Sequence, residues 1–267
     1  MATRRTHDFH FARFYRGDKL DIALAHHEHY LFMKLRLKPG MRVLEVGCRS
    51  GAAALELVNF ADVAVVGIDR NTAKIEEASI DNKLNSSHNF GSLSPDYFPP
   101  ESFDAIYSIE SLRYLPSFDM VYTQFAHLLK PGGKVALYEW CWTSTLDPGN
   151  AEHRRLAELI EDATKIGHRT LEQRSMPYAL AALRRKNFVV LEYNDLAAEN
   201  STSSRSIGSE WYSPLEAALG DSRVTWEVQD QSFTILDGLS KDAVTALIFA
   251  GRFKLFTPMA MFVGYKS

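Results

Sequence analysis

The chain has 267 residues, 46% apolar and 24% charged, with a net charge of −3, a composition that fits one globular core and gives nucleic acid no basic surface to bind. Two cysteines, Cys48 and Cys141, are too few for a disulfide framework and point to a reducing compartment. The N-terminus, MATRRTHDFHF, lacks the apolar stretch of a secretory leader, and no apolar run reaches the ~18 residues of a spanning helix. A cytoplasmic protein without a transmembrane segment is therefore expected, with peripheral membrane contact left open.

Residues 20–36, LDIALAHHEHYLFMKLR, carry apolar side chains at helical spacing and stop at the turn signal LKPG. MRVLEV then enters GCRSG and continues as AAALELVNF, the order strand, tight glycine turn, helix. DVAVVGI ends at Asp69 and is followed by NTAKIEEASIDNKL, of helical character; FDAIYSI, SFDMVYTQFAHLL and KPGGKVALYEWCW repeat the alternation. Strands rich in Val, Ile and Ala alternating with helices predict an α/β fold, a Rossmann-like, doubly wound, mostly parallel sheet. Beyond Trp142, NAEHRRLAELIEDATKIG reads as an amphipathic helix, MPYALAALRRKNFVVLEYNDL as a helix and a strand, and AAENSTSSRS as a loop. The chain closes on an alternating strand that returns to the sheet. One domain spanning 1–267 is expected, with a cofactor-binding core over 20–142, a helical cap and substrate region over 143–257, and the final strand at 258–267.

Ligands of open α/β sheets sit beyond the carboxyl ends of the strands, at the point where strand order reverses. VLEVGCRSG places Gly47 there, where the absence of a side chain lets the turn tighten, and Gly51 opens the following helix with its free amides and positive dipole end. Glu45 stands at the strand end, and Asp69, 24 residues later at the next strand end, is the usual place for an acid that grips ribose hydroxyls. The glycine loop alone suits many nucleotides, or a packing turn with no ligand. Between a nicotinamide dinucleotide and S-adenosylmethionine, the acid in Glu45-Val46-Gly47 favours the latter, as do FDAIYSIESLRYL and LLKPGGKVALYEW, which resemble landmarks of class I methyltransferases.

FHFARFYRGDKLDIALAHHEHYLFMKLRLKPGMRVLEVGC, ALYEWCWT, AEHRR, WYSPL and LFTPM together resemble the sterol 24-C-methyltransferase family over almost the whole chain. The resemblance implies S-adenosyl-L-methionine as cofactor and a hydrophobic, terpenoid-like alkene as substrate, and it is compatible with a homodimer. The family pattern has a glycine where this chain has Arg49, whose side chain either blocks the cofactor's methionine portion or pairs with its carboxylate. The family's acid near the adenine corresponds to Ser92, and the connection between Lys74 and Phe103 is shorter. Only MATRRTHD precedes Phe9, so a tyrosine- and glutamate-rich pocket segment is expected to be missing. Tyr114 replaces a histidine, while Glu110 is retained. These departures favour a smaller terpenoid or another secondary metabolite over a sterol.

Methylating an alkene leaves a carbocation, which aromatic faces stabilise and a carboxylate or phenol relieves by accepting a proton. Glu110, Tyr114 and Tyr138 are the expected catalytic residues; Glu45, Gly47, Arg49, Gly51, Asp69 and Ser92 are the expected cofactor contacts. Tyr138, Trp140 and Trp142 alternate on one strand and equally suit a packed core, with Glu139 on the opposite face. The HHEH run at 26–29 does not match H-E-x-x-H and lacks a third ligand, so no metal is expected. Two other readings remain: a cyclase or isomerase on the same fold that no longer transfers methyl, motivated by Arg49 and Ser92, and a non-catalytic regulatory relative.

Overall fold

The computed structural model describes residues 10–15, 19–71, 85–86, 98–115, 117–164, 166, 170–199, 208–219 and 240–267. Ser92, the helical segment expected after Asp69 and residues 200–206 of the expected loop AAENSTSSRS lie outside them, while Ala197–Glu199 at its start are helical and not loop.

A short strand β1 (Phe14–Tyr15) precedes helix α1 (Leu20–Leu35). Leu24, His27, Glu28, Leu31, Phe32 and Leu35 form its buried stripe, the i, i+3, i+4, i+7 spacing of an amphipathic helix. Arg36 ends the helix in a left-handed conformation, its N–H donating to Met33 O. Strand β2 (Arg42–Val46), helix α2 (Ala52–Phe60) and strand β3 (Ala64–Ile68) follow, then the two-residue strand β4 (Asn85–Ser86). Strand β5 (Phe103–Ile109) leads through a 3₁₀ turn at Leu112–Tyr114 into helix α3 (Phe118–Leu128) and strand β6 (Leu129–Trp142). Ser117 caps α3: its Oγ accepts the N–H groups of Asp119 and Met120 at 3.1 and 3.4 Å.

The remainder comprises α4 (Ala151–Thr164), α5 (Met176–Arg185), β7 (Phe188–Asp195), α6 (Leu196–Glu199), β8 (Gly208–Ser209), α7 (Ser213–Ala218), α8 (Lys241–Arg252) and β9 (Phe256–Lys266). Seven strands form one sheet in the order β4-β3-β2-β5-β6-β9-β7. The pairs from β4 to β6 are parallel, while β9 runs antiparallel to both β6 and β7. The chain winds outward from β2 in one direction and from β5 in the other, so the reversal point lies between them.

Alternation along the strands divides the core in two. Ala136, Tyr138, Trp140 and Trp142 of β6 pack with α1, α2, α4 and α8, whereas Val135, Leu137 and Cys141 pack with α3 and α5. Helices thus cover both faces, as the sequence pattern predicts. The extent of the sheet differs from the expectation in two respects. Residues 188–195, assigned above to the cap, form a strand of the main sheet, because β9 runs the full height of the sheet and leaves β7 a complete edge to pair with. The final strand also begins earlier, at Phe256. Outside the main sheet, β1 and β8 pair through Phe14–Ser209 and Tyr15–Gly208, tying the N-terminal segment to the region before α7.

Candidate active site

Beyond the carboxyl ends of β2 and β3, the turn after Val46 is pinned by N–H groups of Gly47 and Cys48, both donating to Ile68 O at 2.7 and 3.0 Å. Gly47 (φ 86°), Arg49 (φ 48°) and Gly51 (φ 81°) all adopt left-handed backbone. A side chain at Gly47 would lie 1.9 Å from Ser111 Oγ, so the turn needs glycine for space as well as for φ. Arg49 takes a conformation natural to glycine and is held in it by its N–H, which donates to Asp69 Oδ2 at 2.9 Å. The other Asp69 oxygen accepts the Asn71 N–H at 2.8 Å. Arginine therefore leaves the loop's backbone path intact.

Gly47, Arg49, Asp69, Arg70, Ser111, Tyr114 and Leu115 line an open cleft. The cleft suits a nucleoside cofactor: a carboxylate at the β3 end for the ribose, the first amides of α2 close by, and an aromatic and an aliphatic wall. Gly47, Arg49, Asp69 and Tyr114 are expected from the sequence, whereas Arg70, Ser111 and Leu115 are not. Arg70 directly follows Asp69, and Ser111 and Leu115 flank Tyr114 in the same turn, so neighbourhood to the named residues was the available signal. Tyr114 faces this cleft and lies under the guanidinium groups of Arg70 and Arg113, 5.4 and 4.7 Å from its ring centre. Glu45 and Gly51 do not line it. Glu45 is buried; burial first, then its carboxylate, pushes the neighbouring Tyr107 hydroxyl well above its ordinary range. Gly51 precedes α2 and donates its N–H to Cys48 O at 2.7 Å.

Glu110 lies just past the β5 end in left-handed conformation (φ 55°), its N–H donating to Tyr138 O at 2.8 Å. Its carboxylate is 3% exposed; Oε1 accepts the Phe11 N–H at 2.6 Å, and Oε2 stands 3.9 Å from Arg113 Nη1. Phe11 in turn meets Trp211 edge-on (5.1 Å) and Trp140 (5.8 Å), and Phe256 contacts Trp140 (5.4 Å) and Trp211 (6.0 Å). Glu110 thus sits between the Gly47–Asp69 cleft and an aromatic nest built from four distant segments. Glu139, on the other face of β6, accepts the Leu112 N–H at 3.2 Å and holds the 3₁₀ turn in place.

Tyr138 occupies a different setting from Glu110. Its ring stacks on His27 (centroids 4.1 Å, 18°) and its hydroxyl donates to His27 O at 3.0 Å. Ring face and proton are both spent on packing α1 against β6, the core alternative weighed for it from the strand alternation. The HHEH run is likewise distributed over the helix: His26 is exposed, His27 and Glu28 are buried, and His29 meets Glu56 at 2.7 Å. His10 Nε2 and Glu28 Oε1 are 3.0 Å apart. Burial opposes a charge on His10, yet the hydrogen bond and charge of Glu28, with Glu110, raise its pKa. Burial, then positive His10 and Arg13, pushes His27 well below the ordinary histidine range.

A family model described as a methyltransferase domain matches residues 19–190. Sterol 24-C-methyltransferases from Gibberella zeae and Candida albicans are 33% and 34% identical to this chain, over 97% and 96% of it and 74% and 73% of their own lengths. The crystal structure of geranyl diphosphate C-methyltransferase from Streptomyces coelicolor superposes with a TM-score of 0.72 at 15% identity, covering 98% of this chain and 94% of that one, which establishes the shared fold. S-adenosylmethionine is accordingly the cofactor. The chain belongs to the sterol 24-C-methyltransferase family, the class I S-adenosylmethionine-dependent C-methyltransferases.

Proposed function

We propose that the protein methylates an alkene carbon of a hydrophobic, terpenoid-like small molecule, with Glu110 as the proton acceptor. The observation that supports this reading most is the position of Glu110: a buried carboxylate at the β5 end, with the cofactor-side cleft on one side and the nest of Phe11, Trp140, Trp211 and Phe256 on the other. The sterol substrates named for the relatives agree with an apolar acceptor.

Gly47, Arg49, Asp69 and Tyr114 would hold the cofactor, which supplies a methyl group on a positively charged sulfur and needs no further activation. What the chain must add is alignment, exclusion of water and a place for the proton. The Phe11 N–H fixes one Glu110 oxygen at 2.6 Å and leaves the other directed toward Arg113. Apolar walls repel water and give a developing cation aromatic faces, principally those of Phe11, Trp211 and Phe256, since Arg113 lies over Trp140 at 3.7 Å. Tyr138 serves in this reading as a positioning residue, through the contact of α1 with β6.

The test is incubation with methyl-labelled S-adenosylmethionine and a panel of isoprenoid alkenes, read by mass spectrometry. A product heavier by one methylene is expected. Glu110→Gln should lower turnover by roughly 10²–10⁴-fold, the usual worth of a general base, without weakening S-adenosylhomocysteine binding. An isomerised product of unchanged mass, formed equally well without cofactor, would overturn the reading.

A further inference from the structure

The aromatic nest contains polar atoms that the proposed proton transfer does not use. Arg113, on the 3₁₀ turn between Glu110 and Tyr114, is largely buried, and among the described residues its Nε and Nη1 have no hydrogen-bond partner. Only Nη2 is engaged, donating to the Tyr114 hydroxyl at 2.6 Å. The guanidinium lies 3.7 Å from the Trp140 ring centre, and the Trp140 indole Nε1, also buried, is likewise without a partner among the described residues. The Tyr114 hydroxyl, having accepted from Arg113, keeps its own proton to donate. The unpartnered atoms of Arg113 and Trp140 are all donors. Glu110 supplies countercharge from 3.9 Å, beyond hydrogen-bond reach, and so leaves those donors unmatched.

Burying a guanidinium with most of its N–H groups unmatched is costly, and removing buried donors from water without acceptors adds to the cost. A ligand carrying an acceptor-rich, negatively charged group would relieve both. Resting on the reading that the aromatic nest receives the methyl acceptor, we propose that Arg113, with Trp140, binds a carboxylate of that substrate, so that the acceptor is an isoprenoid-like acid. The cofactor has a carboxylate of its own, which is the same chemistry from a second source. Arg49 and Arg70 line the cofactor cleft and Arg113 does not; its guanidinium lies instead against Trp140 and Glu110. Position therefore favours the substrate.

Binding separates the sources without requiring turnover. Farnesoic acid and the hydrocarbon farnesene are titrated into wild-type protein and Arg113→Met, with quenching of tryptophan fluorescence as the readout. S-adenosylhomocysteine and 5′-methylthioadenosine, which lacks the amino-acid carboxylate, are titrated in parallel by calorimetry. Farnesoic acid should bind wild type at least tenfold more tightly than farnesene and lose that advantage in Arg113→Met, with farnesene and both nucleosides unchanged. Arg113→Lys, which keeps the charge but not the planar fork, should recover part of the preference and guards against a misfolded methionine variant. Equal affinity of wild type for acid and hydrocarbon would overturn the proposal. So would a loss in Arg113→Met confined to S-adenosylhomocysteine, which would give the guanidinium to the cofactor. Acid binding that depends on Arg113, with no methylated product from any acceptor, would leave this site standing and remove the assigned reaction instead.

Discussion

Arg49 occupies the centre of the Gly47–Gly51 loop in a backbone conformation that costs an L-residue about 1–2 kcal/mol. Glycine would remove that strain but adds about 0.5–1 kcal/mol of unfolded-state entropy. Arg49→Gly should therefore leave stability unchanged or raise it by up to about 1.5 kcal/mol, measured by denaturant unfolding. A loss larger than 1 kcal/mol would mean that contacts of the arginine side chain outweigh the strain. His27 makes a prediction of opposite character, in pH. Its folded-state pKa is depressed below the ordinary 6.5 by burial and by His10 and Arg13. Below pH 6.5 the unfolded chain takes up a proton that the folded one refuses, so this residue costs stability as pH falls. His27→Phe keeps a ring against Tyr138 and removes the cost. The variant's melting temperature should gain on wild type between pH 7.5 and pH 5, and a difference that is constant across that range would refute the assignment. His10, raised by Glu28, acts with the other sign, contributing stability at low pH that is lost as pH rises through its folded-state pKa.

At the scale of elements, the turn from Glu110 to Ser117 matters most, because it carries residues of both the cleft and the aromatic nest. Glu139 fixes its start through the Leu112 N–H, and Ser117 fixes its end as the cap of α3. Ser117→Ala removes the acceptor for two otherwise unpaired N–H groups and should cost about 1 kcal/mol. If the cap also sets the turn, cofactor affinity should fall with it, and calorimetry with S-adenosylhomocysteine would show a Kd unchanged from wild type if it does not. The elements themselves were legible in the sequence wherever one signal decided them. The glycine turn between MRVLEV and AAALELVNF, the apolar runs ending at Asp69 and Ile109, and the helical spacing of α1 all stand where the pattern puts them. The strand at 188–195 was legible as a strand but not as part of the main sheet, since its partner β9 lies about 70 residues further along and runs antiparallel. Side-chain roles followed the same division. Gly47 and Asp69 are set by local geometry. The commitment of Tyr138 to His27 and the unmatched donors of Arg113 arise from contacts between separate segments, which no periodicity encodes.

For the whole molecule, the Gly47–Asp69 cleft couples to stability because it is assembled from the ends of β2, β3 and β5 together, with Gly47, Asp69 and Ser111 each contributed by a different strand end. These walls meet only in the folded chain, so a ligand that bridges them binds the native state and not the unfolded one. At a ligand concentration of 100 Kd such binding stabilises by about 2.7 kcal/mol. For a domain of this size, that corresponds to a rise in melting temperature of roughly 5–10 °C. S-adenosylhomocysteine should produce this shift in wild type and in Glu110→Gln alike, because Glu110 faces the aromatic nest and does not line the cleft. In Asp69→Ala the shift should largely disappear, with the ligand-free melting temperature lowered as well, since Arg49 and Asn71 lose the acceptor of their N–H groups. Full stabilisation of Asp69→Ala by the nucleoside would place the cofactor outside this cleft, whatever the fold and the family imply.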